Sequence, residues 1–211
     1  MKRFFNPHLK DILFTFRNFG NVYSQAMCEW KNANILLENS VGTYRPICYG
    51  EQKVLGLERK SFFVTEKLNG ECFTDFLGRR WAWLERCEKE KITCEMAAFV
   101  RRIHDTAISL PDLYVWHLFI EEKTNESADS SYEFAVIDLH RMRINAGRAQ
   151  RIRDLGALDF SMLDTYFDDE LRRFFLDSYM SGATGSAKES FWRSVKKRSS
   201  VLSGRRRRPS Y

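Results

Sequence analysis

No apolar stretch in this chain approaches the ~20 residues that a membrane-spanning helix needs. The opening residues, Met1-Lys2-Arg3-Phe4-Phe5-Asn6-Pro7-His8, lack the apolar core and small-residue cleavage site of a secretory leader, so a cytoplasmic location is expected. No CxxC pair occurs among the five cysteines (Cys28, Cys48, Cys72, Cys87, Cys94), and their number is odd. That pattern suggests neither a zinc site nor a disulfide framework; small buried hydrophobes in a reducing compartment are expected instead. Acid is nearly missing from the last stretch: from Lys188 to Tyr211 there is only Glu189, against Lys196-Lys197-Arg198 and Arg205-Arg206-Arg207-Arg208. Such a run can attract anionic lipid headgroups or nucleic acid, or it can be a solvated tail without a dedicated partner. The formal charge of +6 is concentrated there and the remainder is close to neutral, so nucleic-acid binding is not expected of the folded part.

What the chain does have is core-forming material. Of its 211 residues, 44% are hydrophobic and 17 are phenylalanine, which suits one domain or two closely packed lobes rather than a disordered chain. Helical spacing is visible at Leu9, Ile12, Leu13 and Phe16, and again from Ser24, a candidate N-cap, to about Asn39. The core face of that second helix is expected to use Met27, Trp30, Ile35 and Leu36, with Glu29 on an adjacent side. Three strand-like stretches follow: Thr43 to Tyr49, Gln52 to Leu57 and Ser61 to Leu68. Helices are expected over Cys72 to Leu77 and over Ile92 to Ala107, the latter with a stripe of Ile92, Met96, Phe99, Val100 and Ile103. Tyr114 to Glu121 and Tyr132 to Leu139 read as a hairpin turning in the polar run Glu122 to Ser131. Leu155 to Leu163 and Asp169 to Met180 are helical again. The sum is an α+β, two-lobe arrangement without internal repeats.

The chemistry concentrates in Leu110-Pro111-Asp112-Leu113-Tyr114-Val115-Trp116-His117 and in Val136-Ile137-Asp138-Leu139-His140-Arg141. A long helix leads to a loop with one acid, a ligand-type residue follows five positions later, and a second acid ends an apolar strand. Phosphoryl transfer needs such a set: one carboxylate for the attacking hydroxyl, another with a neutral neighbour to hold Mg²⁺ on the phosphates. Protein kinases space their HRD acid and its asparagine ligand in the same way and carry the second acid in DFG. Two acids near a hairpin can equally be structural caps. His104 reads as a packed core histidine, Asp154 as a cap or loop brace, and His140 and Arg141 as phosphate contacts or braces of the hairpin.

Longer blocks add to the spacing. Glu29-Trp30-Lys31-Asn32-Ala33, Thr43-Tyr44-Arg45-Pro46, Tyr49-Gly50-Glu51, Ser61-Phe62-Phe63-Val64-Thr65-Glu66, Pro111-Asp112-Leu113-Tyr114, Ile137-Asp138-Leu139-His140-Arg141 and Arg153-Asp154-Leu155-Gly156-Ala157-Leu158 occur in this order. In them the chain resembles the lipopolysaccharide core heptose kinase family, over about residues 24 to 165. The resemblance implies a protein-kinase-like fold, with an incomplete N-terminal lobe over 1–70 and a helical catalytic lobe over 71–187. The basic tail, 188–211, is expected to be disordered. It also implies ATP and Mg²⁺ as cofactors, with Asp112 as the catalytic acid, Asp138 as the Mg²⁺ ligand and His117 where protein kinases have asparagine. Glu29 would be the helix glutamate that pairs with the ATP-binding lysine, and Glu66 to Leu68 the hinge that meets adenine. The acceptor would be a lipopolysaccharide core glycolipid, phosphorylated on a heptose at the inner face of the cytoplasmic membrane, with the basic tail on the anionic surface.

Two departures from the kinase pattern stand out. Leu-Pro-Asp replaces His-Arg-Asp, removing the arginine that braces an activation loop. In addition, only Met1 to Phe5 precede the first helices, so Lys2 is the candidate ATP lysine, with Lys10 behind it, and no glycine-rich loop precedes Gly20. A chain shortened at its N-terminus is the expectation. The alternatives are a kinase acting on Kdo or on a protein, and a kinase-like binding module without turnover.

Overall fold

The computed structural model describes residues 1–6, 15–16, 18–124, 130–205 and 211. Most of the Leu9–Phe19 helix and the turn of the later hairpin therefore lie outside the described residues. The first sheet has strand order β1-β3-β2, all antiparallel, from β1 (Lys2–Phe5), β2 (Pro46–Val54) and β3 (Leu57–Thr65). The expected strand from Gln52 to Leu57 is not separate. Leu55 and Gly56, both at positive φ (51° and 78°), make a tight two-residue turn that joins two long strands. Leu-Gly lacks the asparagine or aspartate that advertises such a turn.

Helix α1 (Gln25–Glu38) lies against this sheet, and Ser24 caps it by accepting from the Met27 N–H at 3.1 Å. Its buried residues are Ala26, Cys28, Glu29, Asn32, Ala33 and Leu36. The helix is thus rotated from the expected face, and Glu29 is fully buried rather than lying to one side. A carboxylate at that position survives burial only because it is paired, as described below.

The second lobe begins with β4 (Glu71–Cys72), which pairs with β5 (Leu118–Thr124), itself paired with β6 (Ser130–Val136). Helices α2 (Phe73–Arg80) and α3 (Arg86–Asp105) pack on that small sheet, α5 (Asp169–Tyr179) packs on α3, and α4 (Arg148–Ser161) lies further out in the same lobe. The expected α3 stripe, Ile92, Met96, Phe99, Val100 and Ile103, is buried throughout. Phe99 of the stripe lies against Phe134 at 6.1 Å between centroids, and Phe73 meets Phe134 edge-on at 5.3 Å, with an interplanar angle of 90°.

Two sequence expectations need correction. Only Cys28 of the five cysteines is buried; Cys48, Cys87 and Cys94 are exposed and Cys72 is intermediate. None is disulfide-bonded. The basic tail is not disordered along its described length: Gly185–Ser203 is a helix, α6, packed on α4. Phe191, Val195, Ser199 and Leu202 recur at helical spacing and supply an apolar stripe that basic composition conceals. Its cations divide accordingly. Lys196 reaches Asp159 at 3.1 Å, Lys197 stays exposed, and Arg198 turns inward. No described helix is long and apolar enough to cross a membrane.

Candidate active site

Asp112 sits in the loop after α3, and Asp138 just after β6. Their loops are tied together by paired backbone hydrogen bonds between Ser109 and Arg143, each 2.9 Å. The Ile137 N–H donates to the His117 carbonyl at 2.9 Å, which sets the imidazole beside the second acid. Asp112 and Asp138 consequently line one narrow recess, together with Pro111 and Arg141.

Asp154 holds the Asp112 loop from below. This fully buried carboxylate of α4 accepts from the Leu110 N–H at 2.8 Å and from the Ser109 hydroxyl at 3.0 Å. His104 Nε2 lies 3.3 Å away, and its Nδ1 is 2.8 Å from the Tyr179 hydroxyl. Asp154 is therefore a loop brace, one of its two sequence readings, and His104 is a packed core histidine that hydrogen-bonds it. Within this cluster the Asp154 carboxylate, the Ser109 hydroxyl and the His104 ring all have partners, which is what burial demands.

Around Asp138 the charges are closely matched. Lys2, on the edge strand β1, makes a 2.6 Å ion pair with Glu29 and a second, shorter one with Asp138. Glu29 also accepts from the Tyr44 hydroxyl and, at 3.2 Å, from the Leu139 N–H. Asn32, one turn further along α1, donates to the Leu139 carbonyl at 2.7 Å. So α1 grips both backbone groups of the residue that follows Asp138. Burial by itself would lower the Lys2 ammonium, but the Glu29 and Asp138 carboxylates outweigh it and raise its pKa. Burial would likewise raise the Asp138 carboxyl; the His140 hydrogen bond and the Lys2 charge instead hold it well below the usual carboxylate range. Burial, then the adjacent Glu29 carboxylate, push the Tyr44 phenol far up, so it stays a donor. Asp138 has φ of +65°, a left-handed conformation that aspartate adopts more readily than most residues and that turns its carboxylate out of the strand direction.

His117 and His140 flank this carboxylate. His117 Nδ1 is 2.7 Å from the Asp112 backbone carbonyl, which assigns it the proton and leaves Nε2 as a lone pair 3.7 Å from Asp138. His140 Nδ1 is 3.2 Å from Asp138. Glu29, Asp138 and His140 place ligand-type atoms within 4.8 Å of one another. Glu29 is already engaged by three donors, so the carboxylate available to a cation is Asp138. A hard oxygen donor of this kind suits Mg²⁺, which takes one or two carboxylates with waters and phosphate oxygens. Asp112 is less tightly held: its nearest cation is Arg141, at 3.3 Å.

Glu66 to Leu68 connects the two lobes. The Glu66 N–H donates to the Arg45 carbonyl at 2.9 Å. With Thr43, Phe119 and Ala135, this segment lines a cavity of about 450 Å³, within the range of small-molecule pockets. Asp112 and Asp138 do not line it; the β5–β6 hairpin runs from this cavity to Asp138. Lys10 lies outside the described residues. Sequence reasoning missed Asn32 and Tyr44 as partners of this centre. Asn32 was detectable in principle, since it lies three residues after Glu29 and so on the same helix face.

A small antiparallel sheet with one helix, a connecting segment, and a helical lobe carrying an acid loop and a hairpin define a protein-kinase-like two-lobe fold. The solved structure titled "WaaP in complex with acyl carrier protein" shares it, with a TM-score of 0.68 and 25% identity over 84% of this chain and 76% of that one. The profile of the lipopolysaccharide kinase (Kdo/WaaP) family matches residues 6–179, and the chain belongs to that family. The lipopolysaccharide core heptose(I) kinase WaaP of Pseudomonas aeruginosa is 30% identical over 157 residues, 72% of this chain and 58% of that protein. The protein of the same name from Escherichia coli K12 is 30% identical over 140 residues, 64% of this chain and 52% of that one. The chain thus spans little more than half the length of these curated relatives.

Proposed function

We propose that this chain forms the catalytic part of a kinase that transfers the γ-phosphoryl group of ATP to a heptose hydroxyl of the lipopolysaccharide inner core. The observation that carries the reading is the shared recess of Asp112 and Asp138, with Lys2 and Glu29 paired at its edge. Family membership supplies the chemical class.

Asp112 would orient the acceptor hydroxyl and take its proton as the new O–P bond forms. Asp138 would hold Mg²⁺, with His117 Nε2 and His140 beside it as ligand or hydrogen-bond partner. When bound, ATP and Mg²⁺ supply the phosphoryl group and the neutralisation of its charge. Lys2, oriented by Glu29, would meet phosphate oxygens in place of the Asp138 carboxylate it contacts here. Backbone groups of Glu66 and Leu68 would meet the adenine edge in the cavity that Phe119 also lines. In a sugar kinase of this family the acceptor is a glycolipid, so the enzyme would work against the inner face of the cytoplasmic membrane. Lys197 and Arg205 on the exposed side of α6 and after it suit an anionic surface.

The test is a transfer assay from γ-labelled ATP to defined inner-core oligosaccharides with Mg²⁺. Label should appear on heptose, and Asp112→Asn should abolish it while the protein stays folded. A wild-type chain that binds Mg·ATP but labels no core sugar would favour the binding-module alternative. Label on Kdo alone would move the acceptor.

A further inference from the structure

A second recess opens on the other side of the Asp112 loop, away from Lys2. It has a volume of about 270 Å³ and is lined by Asp112, Arg141, Arg143, Gln150, Arg153 and Arg198, among others. Its two carboxylates are already engaged: Asp112 faces Arg141, and Asp154 is turned into the loop it braces. The lining therefore carries more positive than negative charge next to the acid that receives the acceptor.

Arg198 distinguishes this recess from an ordinary basic surface. Its Nε is buried, and no acceptor among the described residues takes the hydrogen. A buried guanidinium donor without a partner in the protein has to be met by a water or by an anion. The side chain is placed there deliberately by the packing of α6 on α4. Gly156 of α4 lies directly beneath it: a Cβ at that position would meet Arg198 Cγ at 2.4 Å and Cβ at 2.7 Å. Only glycine allows α6 to come close enough to insert this arginine.

We propose that Arg198, with Arg143 and Arg153, binds a carboxylate or phosphate group of the acceptor and so positions the neighbouring hydroxyl at Asp112. The inference rests on the acceptor role given to Asp112 above. A guanidinium presents two parallel N–H groups to such an anion, and a recess of this size admits it. Arg198 is thus an acceptor-binding residue supplied by the last helix.

The test is calorimetric binding of a deacylated inner-core oligosaccharide to the full chain, without nucleotide. Wild type, Arg198→Met and Arg198→Lys are compared, alongside carboxyl-reduced and dephosphorylated forms of the oligosaccharide. Arg198→Met should weaken binding about 10- to 100-fold, the range for losing a hydrogen bond to a charged group. Arg198→Lys should recover part of it, and Mg·ATP affinity should not change. Carboxyl reduction that makes wild type bind like Arg198→Met identifies a carboxylate; dephosphorylation with that effect identifies a phosphate. The edited oligosaccharides test wild type alone, so the result does not depend on the variants folding. Wild-type binding unaltered by either edit, or a folded Arg198→Met that binds like wild type, overturns the proposal. Transfer assayed on the same samples separates the two readings. Arg198-dependent binding without phosphorylation would remove the kinase function and leave the pocket. Phosphorylation with an acceptor KM indifferent to Arg198 would do the reverse.

Discussion

The two sides of the catalytic loop handle charge in opposite ways. On the Lys2 side, each charged group already has a partner within the chain: Lys2 with Glu29 and Asp138, Glu29 with Tyr44 and Leu139, Asp138 with His140. On the Arg198 side, Asp112 has one exposed arginine at 3.3 Å, and a buried guanidinium nitrogen has no partner among the described residues. A self-neutralised cluster holds its shape without ligand, and an entering phosphate or cation must compete with existing ion pairs. A recess with surplus cations instead draws its missing partner from outside. The comparison teaches that the Lys2 side is preorganised by its own ion pairs, whereas the Arg198 side keeps cationic groups in excess.

The largest expected effect is on turnover. Asp112→Asn should lower transfer by about 10²- to 10⁴-fold, the usual worth of a general base, with Mg·ATP affinity and melting temperature unchanged. A variant that also lost nucleotide binding would erase the distinction between the two sides. Next is the shared support. Asp154→Ala strands the Leu110 N–H, the Ser109 hydroxyl and His104, and should cost about 3 kcal/mol or more in urea unfolding. Loss of that order would show the acid loop to be part of the core rather than an appendage.

A smaller effect tests the self-neutralised side directly. Lys2→Met leaves Glu29 buried with its two hydrogen bonds but without its cation, and should destabilise by about 2 kcal/mol while sharply weakening Mg·ATP binding. Adding Glu29→Gln should restore stability but not nucleotide affinity; recovery of both would mean that Lys2 serves only to neutralise Glu29.

The smallest concerns Cys28, buried in α1 beside this cluster. Burial, with help from Glu58 and Glu29, pushes its thiol from 9.0 up to about 12. Because the folded-state value is raised, the associated stability is complete below about pH 9 and is lost as pH rises through that value toward 12. At pH 8 iodoacetamide should label the exposed Cys48, Cys87 and Cys94 and spare Cys28 until the protein unfolds, as peptide mass spectrometry can read. Rapid labelling of Cys28 would indicate that α1 opens without global unfolding.

Much of the fold was legible because its signals are local. The α3 stripe, the Ser24 cap and the β5–β6 pair each follow from residue periodicity or from one side chain near its own backbone. The order of the family blocks made Asp112, Asp138 and Glu29 stand out. What stayed hidden depends on neighbours distant in sequence. Glu29 looked lateral on its helix because hydrophobicity alone orients a helical face; its burial follows from Lys2 on β1 and from Tyr44 and Leu139 on two connecting segments. The Leu55-Gly56 turn was missed because leucine carries no turn chemistry of its own. The last helix was read as a disordered tail because charge outweighed a sparse apolar stripe that has meaning only against α4.

The sequence by itself determined which residues could do the chemistry, since spacing and family wording are properties of order along the chain. Only the tertiary structure decided how those residues divide. Asp138 faces a lysine 136 positions away, and Arg198 reaches the Asp112 loop because Gly156, on another helix, leaves room. Ion pairing and close packing act through space, and no linear pattern encodes which distant side chains will come into contact.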